Sequence, residues 1–459
     1  MMDDLIEIVG WIILGVVSTL ALITIMSFAI EKSWRACRRA IAVFIPVFAG
    51  FVIVLMTGYS AKGIVILAIL AATIAFLFAL IIRWKKPDSI KFVGKQARID
   101  ERDALFHRFY RLKPGSPEFV AYYQSHPEKI KIDEAIHSLP QLGNPGSKTY
   151  DPLVSPFHVA IFDILEKMTR DLEWTPGSNT SERTHTSPEE STRRIKGFAR
   201  YLGADLVGIT KLDPADMYSH IGRAPGNWGE AIELNHSHAI AIAVEMRHDM
   251  IRHAPESPTI TESAFSYFEN ARIAMILAKY INLLGYEARA HVDGNYRVMC
   301  IPIAADAGLG ELGRLGLLIT PKFGPRVRLS IVTTNFPLDV DQPISFGVQD
   351  FCSFCKKCAT NCPSGSIDSG EKKIYAGVEK WQSDQENCYR FWRKQGTDCA
   401  ICVKVCPYSY PAAPMHDFVR WLVRRNHFAR RLAFLGDTFF YGNRPKIHSS
   451  LPKWHNPDF

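Results

Sequence analysis

CSFCKKCATNCP, residues 352–363, sets Cys352, Cys355, Cys358 and Cys362 at gaps of two, two and three residues, with Pro363 directly after. Two-residue gaps in a tight loop bring three thiolates around three irons of one cube. The fourth cysteine, before the proline, points away to a second cube. Soft anionic sulfur is the donor such iron needs. A second group follows at Cys388, Cys399, Cys402 and Cys406, with Pro407 after the last. It keeps the final three cysteines of the run and moves the first one upstream. The two-cluster rule for such runs assigns Cys352, Cys355, Cys358 and Cys406 to one [4Fe–4S] cube, and Cys362, Cys388, Cys399 and Cys402 to the other. The competing reading, paired structural zinc sites on C-x2-C, does not account for the x2-x2-x3-Cys-Pro spacing. Eight of the ten cysteines lie in this window, which argues for metal rather than a disulfide framework. Cys37 and Cys300 stand apart and read as unligated thiols.

Away from this window the hydrophobicity is uneven. Three uncharged stretches, 8–30, 40–61 and 63–82, each reach about the ~20 residues a helix needs to cross the hydrocarbon core. They read as a three-helix transmembrane anchor, the last two forming a hairpin turned around Tyr59 to Gly63. A cleavable signal peptide would be a single short run, and no twin-arginine signal precedes the first span. Asp3, Asp4 and Glu7 precede the first stretch, and Lys32, Arg35, Arg38 and Arg39 follow it. Only Lys62 separates the second from the third, and Arg83, Lys85, Lys86 and Lys91 follow the third. The positive-inside rule then places the N-terminus outside and the catalytic part in the cytoplasm, as a multi-pass protein of the inner membrane. The formal net charge of +8 is concentrated beside these spans and in the tail, where it suits membrane lipid. No motif supports a nucleic-acid partner.

Between anchor and cysteines the text is that of a layered α/β domain. Residues 91–190 read as a wrapping region ending in a Ser/Thr/Pro/Glu-rich linker at 175–191. Helices are expected at 193–202 and 263–284, each stopped by a glycine. Strands are expected at 206–209, 239–246, 298–303 and 327–333. The division is therefore an anchor at 1–90, the wrapping region, an α/β domain at 191–345, a ferredoxin-like two-cluster domain at 346–415, and a basic tail at 416–459.

The text from 193 to 408 resembles the reductive dehalogenase catalytic subunit family. AGLGELGRLGLLITPKFGPRVRL (307–329) is its most characteristic block, and FGVQDFC (346–352) runs into the first cysteine. DERDALFHRFYRLKPGSPEFVAYYQSHPE (100–128) is similar to the N-terminal part of the non-respiratory members. A displaced first cysteine, here Cys388, is a family habit. The resemblance implies a base-off corrinoid (cobalamin) in a nitroreductase-like α/β fold, reduced through the two clusters. The Asp-x-His-x-x-Gly corrinoid motif is absent. Asp216, His220 and Gly222 have another spacing, in keeping with a family that uses no histidine lower ligand.

The family's catalytic tyrosine falls on Tyr267, which outside the resemblance reads as a packing tyrosine. Its cationic partner falls on Arg326. Arg328 is the alternative, since two residues apart on a strand face the same side. A cation beside a phenol of pKa ~10 eases proton donation. Tyr267 shares a helical face with Ala271, Ala274 and Ala278, a thin face against which something can pack closely. Asp293 or Asn295 is expected over the substrate. Epoxyqueuosine reductases carry an aspartate in a similar Val-Asp setting, though Asp293–Gly294 also reads as a turn. Gly308, Gly310 and Gly313 spell a dinucleotide fingerprint, but no clear strand precedes them and no acid follows at ~20 residues. The loop is read instead as backbone approaching the corrinoid, with Arg328 as a further cofactor contact. His220, His236, His238 and His291 show no metal spacing and read as ordinary polar residues.

These readings converge on a membrane-anchored oxidoreductase that replaces halide on a small organohalide by hydrogen. A separate donor, a ferredoxin, a flavodoxin or a quinol-linked protein, supplies the electrons. The rivals are a corrinoid-dependent reductase of a non-halogenated substrate and, without any substrate, a membrane electron-transfer subunit.

Overall fold

The computed structural model describes residues 2–56, 62–82, 91–92, 97–172, 183–223, 225–444 and 452. They fall into two compact units. One joins residues 1–88 with 411–444, and the other joins 89–410 with 445–459.

Each apolar stretch of the first unit is a single helix: α1 (Met2–Ile30), α2 (Trp34–Met56) and α3 (Lys62–Ile81). Apolar segments of 24, 23 and 19 residues in them are long and apolar enough to cross a membrane. They stay apolar all round, and Ile12, Leu22, Phe48 and Phe78 are exposed, as lipid-facing helices require. α2 starts earlier than the apolar run and carries Arg35, Arg38 and Arg39 in its first turns, because a helix need not stop where hydrocarbon stops. Most of the expected hairpin turn, 57–61, and the basic residues at 83–86 lie outside the described residues.

The second unit opens with β1 (Lys91–Phe92) and three short helices, α4 (Leu105–Tyr110), α5 (Pro117–Ser125) and α6 (Ile130–His137), then α7 (Ser155–Thr169). Helix α8 (Pro188–Tyr201) begins inside the expected linker. The Ser187 hydroxyl accepts from the Glu190 amide and Pro188 occupies the first turn, a strong helix start. Linker residues 173–182 lie outside the described residues.

The sheet at the centre is antiparallel throughout. β2 (Leu206–Lys211), β3 (His238–Glu245), β7 (Val327–Thr334) and β4 (Ala288–His291) pair in the order β2-β3-β7-β4. Helix α9 (His248–Ile251) links β3 to α10 (Ser257–Leu283). Along β3 the faces alternate as a doubly covered strand demands. Ile240 and Ile242 enter the core under α10, while Ala239, Ala241 and Ala243 enter the core under α11 (Cys300–Asp306). Ala271, Ala274 and Ala278 are fully buried in the first of these cores, so what packs against the thin face of α10 is the protein's own sheet.

Two expectations change here. The strand expected at 298–303 is largely α11, with only Val298 bridging Met217. Periodicity cannot separate a short apolar run in a strand from one in a helix. β4 carries polar Arg289 and His291, which hid it. They are buried because Arg289 Nη2 donates to Asn295 Oδ1 at 2.7 Å and His291 Nε2 meets Thr333 Oγ1 at 2.8 Å.

A small ribbon of β5 (Glu311–Leu312) and β6 (Leu318–Ile319) precedes β7. The cysteine-rich part carries α12 (Val348–Cys355), α13 (Lys357–Thr360), α14 (Gln385–Gln395) and α15 (Ile401–Lys404), with β8 (Lys373–Tyr375) and β9 (Val378–Lys380) as a hairpin that pairs β1.

The last two helices, α16 (Pro414–Val423) and α17 (His427–Phe440), belong to the first unit. Between them stands Asn426, 2% exposed. Its Oδ1 accepts from the Ala429 amide and caps α17, while its Nδ2 donates to the carbonyls of Ala79, Leu80 and Ile82 at the end of α3. One side chain thus satisfies orphan groups at two helix ends. Glu31, just past α1, receives His416 at 2.5 Å and the Tyr441 hydroxyl at 2.9 Å.

Candidate functional site

The eight thiols form two sets. Burial pushes the Cys352 and Cys358 thiols up to about 12 and raises Cys406 well above its ordinary value, where the nearby charges of Cys352, Cys355 and Cys358 add to it. In the second set burial lifts Cys388 and Cys399 to about 12, with Cys362 a neighbour of both, and raises Cys402 well above its ordinary value beside Cys399, Cys388, Cys358 and Cys362. Cys362 goes the other way: burial is outweighed by the Ser364 hydroxyl and by backbone bonds from Ser364, Ser366 and Ile367. Cys352, Cys355, Cys358 and Cys406 line one small pocket together, while Cys362 neighbours Cys388 and Cys399. Iron is the charge that keeps such buried sulfurs as thiolates. Among the described residues no three His, Cys, Asp or Glu groups gather closely enough to hold a single metal ion. A four-iron cube spaces its sulfurs more widely than one zinc does.

The two loops repeat one another in backbone. Lys356, with φ 51°, leads into α13, and Ala400, with φ 50°, leads into α15. In that register the position matching Cys352 is Gly396. A Cβ on Gly396 would lie 2.4 Å from the Ser147 hydroxyl, because the wrapping region fills this space. The amides of Gly143, Lys148 and Thr149 donate to the carbonyls of Gly396, Lys394 and Gln395. No cysteine stands at that position, and Cys388 is carried on α14 instead. That helix is braced from the same region. Arg108 and Lys129 each reach Glu386 at 2.7 Å, and the Arg393 guanidinium donates to the Pro140 carbonyl at 2.6 Å.

Arg314 was not singled out in sequence. It is 2% exposed and lies beside Cys352, Cys355, Cys358 and Cys406. Its Nε donates to the Cys352 carbonyl at 3.0 Å, and its guanidinium covers Trp381 at 4.5 Å. A cation there offsets negative charge in the first set.

Tyr267 lies near the start of α10. The guanidinium of Arg328 sits 4.7 Å from its ring centre. Arg328 is held by Asp398 at 2.8 Å and by the Ser263 hydroxyl, and Asp398 directly precedes Cys399. Burial raises the Tyr267 phenol above its ordinary pKa while Arg328 pulls it back. Asp293 meets Arg223 at 3.2 Å. Burial works against the charge on Arg223, but Asp293 and Tyr110 outweigh it and keep the pKa raised. Tyr296 and Cys300 are both raised by burial, and Asp293 adds to each shift. Tyr267, Arg328, Asp293, Tyr296, Arg223 and Cys300 are all neither fully buried nor open. These interacting side chains are brought together from α10, β7, the turn after β4, the start of α11 and the loop before β3. Asn295 is not among them. It is 3% exposed and bonded to Arg289 and to the Thr169 carbonyl.

Arg326 stands elsewhere, which corrects its pairing with Tyr267. It precedes β7 rather than lying in it, is fully buried, and binds Glu245 at 2.5 Å and the carbonyls of Ser409 and Met246 at 2.6 Å. The glycine loop is also corrected. It follows a helix, not a strand. A Cβ on Gly308 would strike the Gln342 carbonyl at 2.6 Å, on Gly310 the Ile319 carbonyl at 2.3 Å, and on Gly313 the Ile319 side chain at 2.5 Å. Packing of protein on protein explains all three glycines. His220 is paired with Asp100 at 3.2 Å.

Residues 351–410 match the model of the 4Fe-4S dicluster domain. Over 318 residues the chain is 33% identical to tetrachloroethene reductive dehalogenase of Sulfurospirillum multivorans, covering 61% of this chain and 63% of that protein. A second tetrachloroethene reductive dehalogenase, from Desulfitobacterium hafniense, is 32% identical over 281 residues, 51% of each chain. The chain is similar to the reductive dehalogenases over this length. It spans between half and two thirds of the length of these curated relatives. The solved structure of the catabolic reductive dehalogenase NpRdhA in complex with 3-bromo-4-hydroxybenzoic acid superposes with a TM-score of 0.61 at 25% identity, covering 80% of this chain and 50% of that one. The donor set, eight thiols in the stretch that matches the dicluster domain, fits iron–sulfur clusters. Beside Tyr267, the Arg328 Nε is buried and makes no hydrogen bond to the protein, an orphaned donor that suits a further bound group.

Proposed function

We propose that this protein is a membrane-anchored reductive dehalogenase that replaces halide on a small organohalide by hydrogen (R–X + 2e⁻ + H⁺ → R–H + X⁻). The observation that carries the proposal is the sequence of contacts from Cys399 through Asp398 and Arg328 to Tyr267, which sets a proton donor beside an electron-carrying site. Cys352, Cys355, Cys358 and Cys406 hold one [4Fe–4S] cluster, and Cys362, Cys388, Cys399 and Cys402 hold the other. The clusters and a base-off corrinoid, when bound, supply the low-potential electrons that break the carbon–halogen bond. Tyr267 supplies the proton. Its raised pKa keeps the phenol protonated at neutral pH, and the Arg328 charge stabilises the phenolate left behind. Asp398 is a positioning residue that aims Arg328. Asp293 and Arg223, paired with one another, hold the substrate.

Helices α1 to α3 span the inner membrane, and the second unit lies on the cytoplasmic side, where Lys32, Arg35, Arg38 and Arg39 also fall. A separate ferredoxin, flavodoxin or quinol-linked protein delivers the electrons. The test is halide release from a panel of chlorinated and brominated arenes and alkenes by full-length protein under strong reductant, with iron and cobalt measured on the same sample. Chloride or bromide release with both metals present is expected. Iron without cobalt would identify an electron relay. Both metals without halide from any compound would turn the reading to a non-halogenated substrate.

A further inference from the structure

The tail helices of the first unit leave a large apolar surface open. On α17, Phe428, Leu432, Leu435 and Phe439 are exposed, Leu435 by 62%. Their spacing of four, three and four places them on one narrow stripe. On α16, Phe418 and Trp421 are exposed and stack at 5.9 Å, and the Arg425 guanidinium caps Trp421 at 4.2 Å. The opposite faces are occupied: His416, Arg420, Val423, Ala429 and Arg430 are buried. In water such a stripe is unfavourable, and each of its large side chains would gain by leaving it.

The ties that hold these helices show what covers the stripe. They attach at the end of α1 through Glu31, at the start of α2 through Arg39, which donates to the Phe439 carbonyl, and at the end of α3 through the carbonyls of Ala79, Leu80 and Ile82. All three points lie at one end of the helix bundle, the end where the hydrocarbon crossing finishes. The stripe is also continuous with the outer surface of the spans, because Phe428 meets exposed Phe76 of α3 edge-on at 6.0 Å. Exposed Lys32, Arg38, Arg424 and Arg431 share this end.

We propose that α16 and α17 form an interfacial hairpin lying in the plane of the membrane, with the Phe428–Leu432–Leu435–Phe439 stripe bedded at the acyl boundary of a phospholipid bilayer and the flanking arginines at headgroup phosphates. An amphipathic helix with aromatic and leucine residues on one face and arginines beside it occupies that depth. The hairpin holds the tail helices to the membrane surface at which α1 and α3 end. The proposal rests on α1 to α3 spanning the bilayer.

The test places a photoreactive phenylalanine analogue at position 435 or 428 of the full chain in phosphatidylcholine–phosphatidylglycerol vesicles. Position 78 on α3 reports the spans, and position 201, 84% exposed in the other unit, serves as a soluble control. Illumination should give phospholipid adducts at 435, 428 and 78 and none at 201. Lipid adducts at 78 alone, or a cross-link from 435 to a second copy or to another polypeptide, would overturn the hairpin's assignment and leave the spans standing. No lipid adduct at any position would remove both. Leu435→Glu should lower the adduct yield at 428 several-fold without changing that at 78.

Discussion

Arg328 rather than Arg326 faces Tyr267, and the difference is one of strand position. Residue 328 lies inside β7 and 326 before it, so the same-side rule for i and i+2 does not apply. Tyr267→Phe should lower halide release by roughly 10²–10⁴-fold, the usual contribution of a positioned general acid, while leaving the iron content unchanged. The phenol is raised by burial and lowered by Arg328. Removing the cation in Arg328→Met should therefore raise it further, weaken the acid and slow turnover at neutral pH. The alkaline limb of the pH–rate profile should then move to higher pH, whereas an arginine that only packed would leave the limb in place. At the clusters, Cys388→Ser should reduce iron from about eight per chain toward about four, with one cubane EPR signal remaining after dithionite. Unchanged iron would transfer the ligand role to another residue.

Elements acquire their roles from what braces them. α14 carries Cys388 because the wrapping region occupies the space beside Gly396, and the Arg108 ion pairs with Asp133 and Glu386 hold that helix from α4 and α6. Arg108 is 3% exposed, so Arg108→Met strands two carboxylates and should cost about 3–5 kcal/mol, the usual penalty for breaking a buried pair. Denaturation should show the loss, and the cluster held by Cys388 should be released before the other. In the first unit, Asn426→Ala removes the cap of α17 together with three bonds to the end of α3. The cap alone is worth about 1 kcal/mol, and the freed carbonyls add to it. Limited proteolysis of the membrane-inserted protein should cleave near 426 several times faster in this variant. The spacing of the cysteines was legible beforehand because ligand reach is a local property of the chain. The 298–303 helix and β4 were not, because each depends on what packs over it.

At the scale of the whole molecule, carbonate washing should leave the full chain in the membrane. A reporter fused at the C-terminus should read as cytoplasmic, since Lys32, Arg35, Arg38 and Arg39 follow the first span. A periplasmic reading would reverse the orientation and exclude a cytoplasmic electron donor. The sequence by itself determined the iron–sulfur character of the cysteine-rich part, the three apolar helices and the α/β character of the middle, because each is a short-range pattern of spacing or periodicity. Only the tertiary structure decided which arginine meets Tyr267, why Cys388 stands apart from its loop, what the glycines at 308, 310 and 313 accommodate, and that the basic tail folds against the anchor. In each case the deciding atoms lie far apart in the chain. Whether a side chain faces a recess, a carbonyl or another helix is settled by packing, which composition and spacing do not encode.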